Sequence, residues 1–178
     1  ALGCDAATRR QIRKLQRTEL CEAAVGGFDL VISRTGYTGE EICFELFVHP
    51  DQAAAFWRTL LETGNPFGVK PCGLAARDSL RTEFGLPLYG QEMAGELNLS
   101  VGDAGFHSYI KTYKPWFIGR NAYLETHKTQ KSDIVRFRFE DKGVRMAHYK
   151  DPVVDRRGKM IGVVTSCAVD SQGTLTGL

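Results

Sequence analysis

The chain has 178 residues, 43% of them hydrophobic and 25% charged, with 23 basic against 21 acidic side chains and a formal net charge of +2. This is the composition of one folded domain or two small ones, with enough apolar residues for a real core. So even a balance argues against nucleic acid or a membrane surface as partner, and no stretch approaches the roughly 18 uninterrupted apolar residues of a membrane span.

The N-terminal stretch is basic: Arg9, Arg10, Arg13, Lys14 and Arg17 spread over one broad helical face and read as a solvated surface. Asp5 is placed as the N-cap of a helix over Ala6–Arg17, with Ile12 and Leu15 at helical spacing. Gly26-Gly27 turns the chain into a strand, Phe28–Ser33. Arg34–Gly39, with two glycines and two threonines, reads as a tight loop. The next strand is expected over Ile42–Val48, with Ile42, Phe44, Leu46 and Val48 on one face and Glu45 on the other, between Cys43 and Phe47.

Asp51 is expected to cap a second helix, Gln52–Glu62, which Gly64-Asn65-Pro66 stops. A third helix runs from Leu74 to Phe84 and ends at Gly85. Leu86–Gly105, rich in glycine, is a loop, and a short helix follows near Asn121–His127. After Lys128–Ser132 the pattern changes period. Val135, Phe137 and Phe139 alternate with Arg136, Arg138 and Glu140, and further strands are expected near Val144–His148 and Met160–Cys167, with a turn at Asp155–Gly158. The expected fold class is α+β: a mixed α/β domain over 1–131, then a small antiparallel β-barrel-like domain over 132–178.

Cys4, Cys21, Cys43, Cys72 and Cys167 form no CxxC pair, and an odd count leaves one unpaired, which suits a reducing, intracellular setting. No signal peptide is visible. The chain opens at Ala1 without methionine and stops at Leu178 just after a strand and turn, which reads as part of a longer gene.

There is no GxSxG elbow, P-loop, HExxH or dinucleotide GxGxxG. His49, His107, His127 and His148 sit on different elements, and their spacing does not build a metal site. Two other features carry chemistry. The loop Arg34-Thr35-Gly36-Tyr37-Thr38-Gly39-Glu40 lets the backbone fold closely around an aromatic plate, so Tyr37 either stacks on a planar ligand or caps the core. Glu45, read as a strand glutamate on the inner face, needs a partner because an unpaired buried carboxylate is costly, and Arg77 and Arg81 lie one helical turn apart where both could face it. That arrangement is either an ion pair ordering the core or a polar clamp. As a clamp, the carboxylate would accept hydrogen bonds from a ring N–H and an exocyclic amine of a heterocycle.

Two blocks resemble a known family. Ser33-Arg34-Thr35-Gly36-Tyr37-Thr38-Gly39-Glu40 with Phe44-Glu45-Leu46 is similar to the SRTGYTGE…FEI block of folate-binding aminomethyltransferases, the glycine cleavage T-protein type. Gly73-Leu74-Ala75-Ala76-Arg77-Asp78-Ser79-Leu80-Arg81, continuing through Glu83-Phe84-Gly85-Leu86-Pro87-Leu88-Tyr89-Gly90, is similar to that family's GLAARDSLRLEAGLPLYG block. Fainter echoes follow at Phe117–Arg120 (FIGR) and Gly158–Ser166 (GKxIGxVTS). A branch of the superfamily that lacks transfer chemistry carries KGCYxGQE, which is absent here.

The resemblance implies a tetrahydrofolate-dependent transfer of a methylene unit from an aminomethyl group on a lipoyl carrier protein, with release of ammonia. Tyr37 would then line the folate pocket, Glu45 would hold the pterin edge and Arg77 would contact folate or substrate. No metal is implied. The expected location is the cytoplasm, or the mitochondrial matrix in a eukaryote. Demethylation of a glycine derivative on the same scaffold and a non-catalytic folate-binding module are the alternatives. The sequence departs from the pattern in three places. One extra residue separates Tyr37 from Glu45, which a bulge could absorb. Cys167 replaces the glycine after VTS. The family's catalytic aspartate, on its N-terminal part, has no counterpart in this chain.

Overall fold

The computed structural model describes residues 3–129 and 131–178. Ala1, where the chain opens, Leu2, and Gln130, inside the 128–132 change of period, lie outside the described residues. The chain gathers into two compact units, Ala1–Arg77 and Asp78–Leu178. No helix among the described residues is long and apolar enough to cross a membrane.

In the first unit α1 spans Ala6–Lys14. Asp5 caps it as expected, accepting from the Thr8 N–H at 2.8 Å and the Thr8 hydroxyl at 2.7 Å. The helix ends three residues before Arg17, and the basic side chains along it are exposed. Strand β1, Leu20–Val25, was not expected from the sequence. It pairs antiparallel with β2, Phe28–Ser33, through a two-residue turn in which Gly26 and Gly27 have φ of 61° and 84°. Both turn positions need positive φ, which glycine adopts without steric penalty.

Strand β3, Glu45–Val48, completes a β1-β2-β3 sheet. It is shorter than the expected Ile42–Val48, and 34–44 form an irregular loop. In the ladder Leu30 faces Val48, Ile32 faces Leu46 and Ser33 faces Glu45, with no shift in register. Directly opposed residues share a face, so Leu30, Ile32, Leu46 and Val48 lie on one side and Val31, Phe47, Ser33 and Glu45 on the other.

The first side carries the core of this unit. Leu15, Cys21, Val25, Leu30, Ile32 and Phe56 are buried together. Phe56 comes from α2, Ala53–Gly64, and meets Phe28 edge-on at 5.3 Å between ring centroids. Asp51 does not cap α2. Pro50 opens a 3-10 turn, Pro50–Gln52, one step earlier, and His49 Nδ1 accepts from the Asp51 N–H at 3.4 Å instead. The proline's fixed φ starts the helical path ahead of the aspartate.

Helix α3, Leu74–Glu83, carries the chain into the second unit and ends near Gly85, at φ 69°. After the turns of 86–105, α4 spans Arg120–Lys128. Five short strands follow: β4 (Phe137–Arg138), β5 (Pro152–Val154), β6 (Met160–Val163), β7 (Cys167–Val169) and β8 (Leu175–Gly177). They form an antiparallel sheet β4-β8-β7 and a separate pair β5-β6. The expected barrel is not closed among the described residues, and Val144–His148 is not a strand. Val135–Phe139 shrinks to the two ladder residues Phe137 and Arg138, paired with Gly177 and Thr176, with one further bond from the Phe139 N–H to the Leu175 carbonyl at 2.9 Å. Close packing sets that pairing: a Cβ on Gly177 would collide with the Phe137 ring and the Ser166 carbonyl.

Candidate functional site

Glu45 opens β3 at the position that pairs with Ser33, on the side of the sheet away from the hydrophobic cluster. It is therefore half-buried and does not sit on the inner face. Its partner is local. Thr35 Oγ1 donates to Glu45 Oε2, and Thr35 Oγ1 lies 3.0 Å from Ser33 Oγ. Thr35 has one hydroxyl proton; spent on the carboxylate, it leaves Thr35 to accept from Ser33. Among the described residues no donor is bound to Glu45 Oε1, so half of the carboxylate's acceptor capacity is open to a ligand.

The loop that carries Tyr37 is pinned at its entry. Arg34 Nη1 donates to the Leu15 carbonyl at 2.7 Å, the Arg34 N–H donates to the Glu19 carbonyl at 2.9 Å, and the Thr18 N–H donates to the Arg34 carbonyl at 3.0 Å. Further along, Gly36 lies against Cys43 so tightly that a Cβ on Gly36 would overlap the Cys43 side chain. Gly39, at φ 82°, turns the chain back. The loop is thus a folded excursion between β2 and β3, with Tyr37 half-buried in it. The extra residue is taken up here and not by a bulge, since the β2–β3 ladder has no irregularity.

Arg77 stands on the exposed side of α3 with no side-chain hydrogen bond or ion pair among the described residues. The sequence allowed an ion pair between Arg77 and Glu45; the structure does not form it. Arg81 does not serve Glu45 either, because it is committed within the second unit. It is buried, with Nε donating to Asp78 Oδ1 at 2.7 Å, Nη1 3.3 Å from Glu92 Oε2 and Nη2 donating to Ser166 Oγ at 2.8 Å. Glu92, fully buried, also accepts from the Leu88 N–H at 2.7 Å and from the Ser166 hydroxyl. Gln91 Nε2 adds a bond to the Thr165 carbonyl at 2.6 Å. Sequence reading missed Glu92 and Ser166 because 74 residues separate them; a glutamate in a glycine-rich loop was the available hint.

Two of the four histidines do meet. His107 Nδ1 lies 2.9 Å from the Tyr123 hydroxyl, and the His107 and His127 rings are 4.9 Å apart. No group of three or more His, Cys, Asp or Glu able to hold a metal occurs among the described residues. The second unit also holds an open cavity of about 1150 Å³, lined by residues such as Phe137, Met146 and Ile161. None of Tyr37, Glu45 and Arg77 lines it. Size alone therefore does not make it the site that the motifs point to.

The loop, the strand carboxylate and the exposed helix arginine are placed by elements that a family model also recognises: the GCVT N-terminal domain, matched over residues 6–114. The chain belongs to this family, the family of the glycine cleavage aminomethyltransferases, as the two motif blocks implied. The aminomethyltransferase of Thermoanaerobacter sp. (strain X514) is 37% identical over 165 residues, covering 87% of this chain and 43% of that protein. That of Bacillus licheniformis is 42% identical over 148 residues, covering 82% of this chain and 39% of that protein. Among solved structures, the glycine cleavage system aminomethyltransferase T from Bartonella henselae matches with a TM-score of 0.68 at 32% identity, over 97% of this chain and 48% of that one. The chain therefore spans less than half the length of these relatives.

Proposed function

We propose that this chain is the folate-holding portion of a tetrahydrofolate-dependent aminomethyltransferase of the glycine cleavage T-protein type. In this reading it serves transfer of a one-carbon unit from an aminomethyl group on a lipoyl carrier protein, with release of ammonia. The observation that supports it best is the half-engaged carboxylate of Glu45: oriented by Thr35 through Oε2, with Oε1 left as an acceptor. That suits the N–H and amine edge of a pterin, because a half-buried acceptor without a donor gains by binding one.

Each residue has a separate task. Glu45 would fix the heterocycle by hydrogen bonds, and the Tyr37 ring would offer a stacking plate. Arg77, with no side-chain partner among the described residues, would meet a carboxylate. Tetrahydrofolate, when bound, supplies the nucleophilic nitrogen that accepts the one-carbon unit. The protein's part is positioning, which by itself accounts for a large share of such rate enhancements. We place the enzyme in the cytoplasm, or in the mitochondrial matrix of a eukaryote. The division at 132 and a barrel-like second domain belong to the same proposal, with the open sheets β4-β8-β7 and β5-β6 as its components.

The test is calorimetric titration of tetrahydrofolate into the parent protein and the Glu45→Ala variant. Affinity should fall roughly tenfold to a hundredfold, the loss of one or two hydrogen bonds to a charged acceptor. Equal affinities would remove Glu45 from the site.

A further inference from the structure

Ser33, Thr35 and Glu45 bring their side-chain oxygens together at one end of the β1-β2-β3 sheet. Ser33 is paired with Leu20 of β1 on one side and with Glu45 of β3 on the other. As direct cross-strand partners, Ser33 and Glu45 share a face. The Arg34 N–H and carbonyl carry the pairing one residue past the ladder, to the Glu19 carbonyl and the Thr18 N–H. The chain therefore stays extended long enough to return the Thr35 side chain to the face of Ser33 two residues on.

Thr35 Oγ1 is bonded to Glu45 Oε2 and lies 3.0 Å from Ser33 Oγ. Two protons serve these contacts, one on each hydroxyl. With the Thr35 proton aimed at Ser33, the Ser33 proton would have no acceptor among the described residues, in a side chain only 8% exposed. Thr35 Oγ1 and Glu45 Oε2 would then also meet lone pair to lone pair. Leaving a buried donor unmade is disfavoured. The opposite order satisfies every group: Ser33 donates to Thr35, Thr35 donates to Glu45, and the carboxylate only accepts.

We propose that Ser33 and Thr35 are positioning residues that set which ligand edge this site accepts. Their one-way donor chain presents Glu45 as an acceptor alone and so selects a heterocycle edge with two donors, a ring N–H beside an exocyclic amine. The inference rests on the reading of Glu45 as the holder of that edge. Each carboxylate oxygen accepts more than one hydrogen bond, so Oε1 and the remaining lone pair of Oε2 can receive both donors. Without the Thr35 bond the carboxylate is free about its last torsion, which is broad, and a two-point grip becomes a one-point grip. Threonine suits the part because its β-branch restricts χ1 and so fixes the direction of the hydroxyl. A ligand lacking one of the donors leaves the oriented carboxylate under-satisfied, the kind of discrimination that polar sites exert strongly.

The experiment titrates tetrahydrofolate and its 2-desamino analogue, which lacks the exocyclic amine, into the parent protein and its variants by calorimetry. The variants are Thr35→Val, Thr35→Ser, Ser33→Ala, Glu45→Ala and Thr35→Val/Glu45→Ala. The parent should prefer tetrahydrofolate by roughly tenfold or more. Thr35→Val matches the side chain's shape without its hydroxyl and should bring that preference below about threefold. Thr35→Ser keeps the donor and should restore it. Ser33→Ala should lower the preference by about twofold or more; a preference equal to the parent's there overturns the chain, and this comparison stands even if Thr35→Val fails to fold. In the Glu45→Ala background Thr35→Val should change nothing further, because Thr35 acts through the carboxylate. Simple loosening of the loop would instead weaken both ligands in parallel and would weaken the Glu45→Ala protein again; either result overturns the proposal. So does the parent's preference persisting in Thr35→Val while Glu45→Ala has lost it, a result that leaves Glu45 in the site. If Glu45→Ala keeps the parent's affinity and preference, both readings fall.

Discussion

The guanidinium of Arg81 faces the carboxylate of Glu92 at 3.3 Å, and both side chains are buried. The pair anchors the end of α3 to the turn that follows, because Glu92 also takes the Leu88 N–H and Arg81 takes the Leu86 carbonyl. Arg81→Met leaves a buried carboxylate without its cation, and breaking such a pair from one side removes about 3–5 kcal/mol. Adding Glu92→Gln should restore part of the loss, since the neutral amide still accepts from Leu88 but buries no charge. Urea unfolding of both variants checks this, and equal losses would show that the charge is not the source.

Arg77, one turn earlier on the same helix, should behave in the opposite way. It is exposed and makes no side-chain bond among the described residues, so Arg77→Ala should alter stability by no more than about 0.5 kcal/mol. Ligand affinity should fall nonetheless if Arg77 meets a carboxylate of folate or substrate. Unfolding and calorimetry on one preparation separate the two effects; unchanged affinity would take Arg77 out of the site.

Gly36→Ala places a methyl where Cys43 already sits. Overpacking of this kind destabilises by about 1–3 kcal/mol, and here it should also weaken tetrahydrofolate binding by shifting the loop that carries Tyr37. Combining it with Cys43→Gly removes the obstructing side chain and should recover binding. Thermal melts with and without ligand distinguish this from a general loss of fold.

Asp170 gives the acid limb of stability a definite sign. The Thr174 N–H, then the Gln172 N–H and the Arg138 guanidinium, hold its carboxyl below the ordinary value against the opposing effect of desolvation. The folded state therefore binds fewer protons than the unfolded one. Its stabilisation is complete above the ordinary aspartate pKa, about 4, and is lost as pH falls through the lower folded value. Asp170→Asn should lower the melting temperature at neutral pH and flatten the decline below about pH 4. A decline as steep as the parent's would contradict the assignment.

Burial raises the thiol pKa of Cys21 and Cys167, so less thiolate is present at a given pH. Cys72 is exposed. A thiol reagent applied to the native protein at neutral pH should modify Cys72 first and leave Cys21 and Cys167 until denaturant is added. Peptide mapping after a short exposure reads the order.

The elements legible in the sequence were those whose signal is local. Asp5 announced α1, Gly26-Gly27 the turn into β2 and Gly85 the end of α3, because each depends on local backbone or side-chain chemistry. Strand β1 was missed: its inward Cys21, Ala23 and Val25 are small, and two of its outward positions, Leu20 and Ala24, are apolar as well, so the alternation is weak. Asp51 misled because a proline ahead of it changed where the helical path begins. The expected strands at Val135–Phe139 and Val144–His148 had the right period, but strand length is set by ladder pairing, which takes in Phe137 and Arg138. At the site, alternation placed Glu45 on the correct side of its strand. It could not show that Thr35 would be its partner, or that Arg81 would be taken by a glutamate and a serine from distant turns.

The unshifted pairing of Ser33 with Glu45 has a consequence for how this chain tolerates change. Residues added or lost between 34 and 44 lengthen or shorten an excursion outside the ladder and leave the glutamate where it is. One residue added within Glu45–Val48 would instead exchange the two sides of the strand, driving a carboxylate into the Leu30–Ile32 cluster and turning Leu46 outward. Insertions on the tyrosine side should therefore be accepted and those three or four residues later rejected. The placement of this acid is set by strand register, not by its count of residues from the tyrosine.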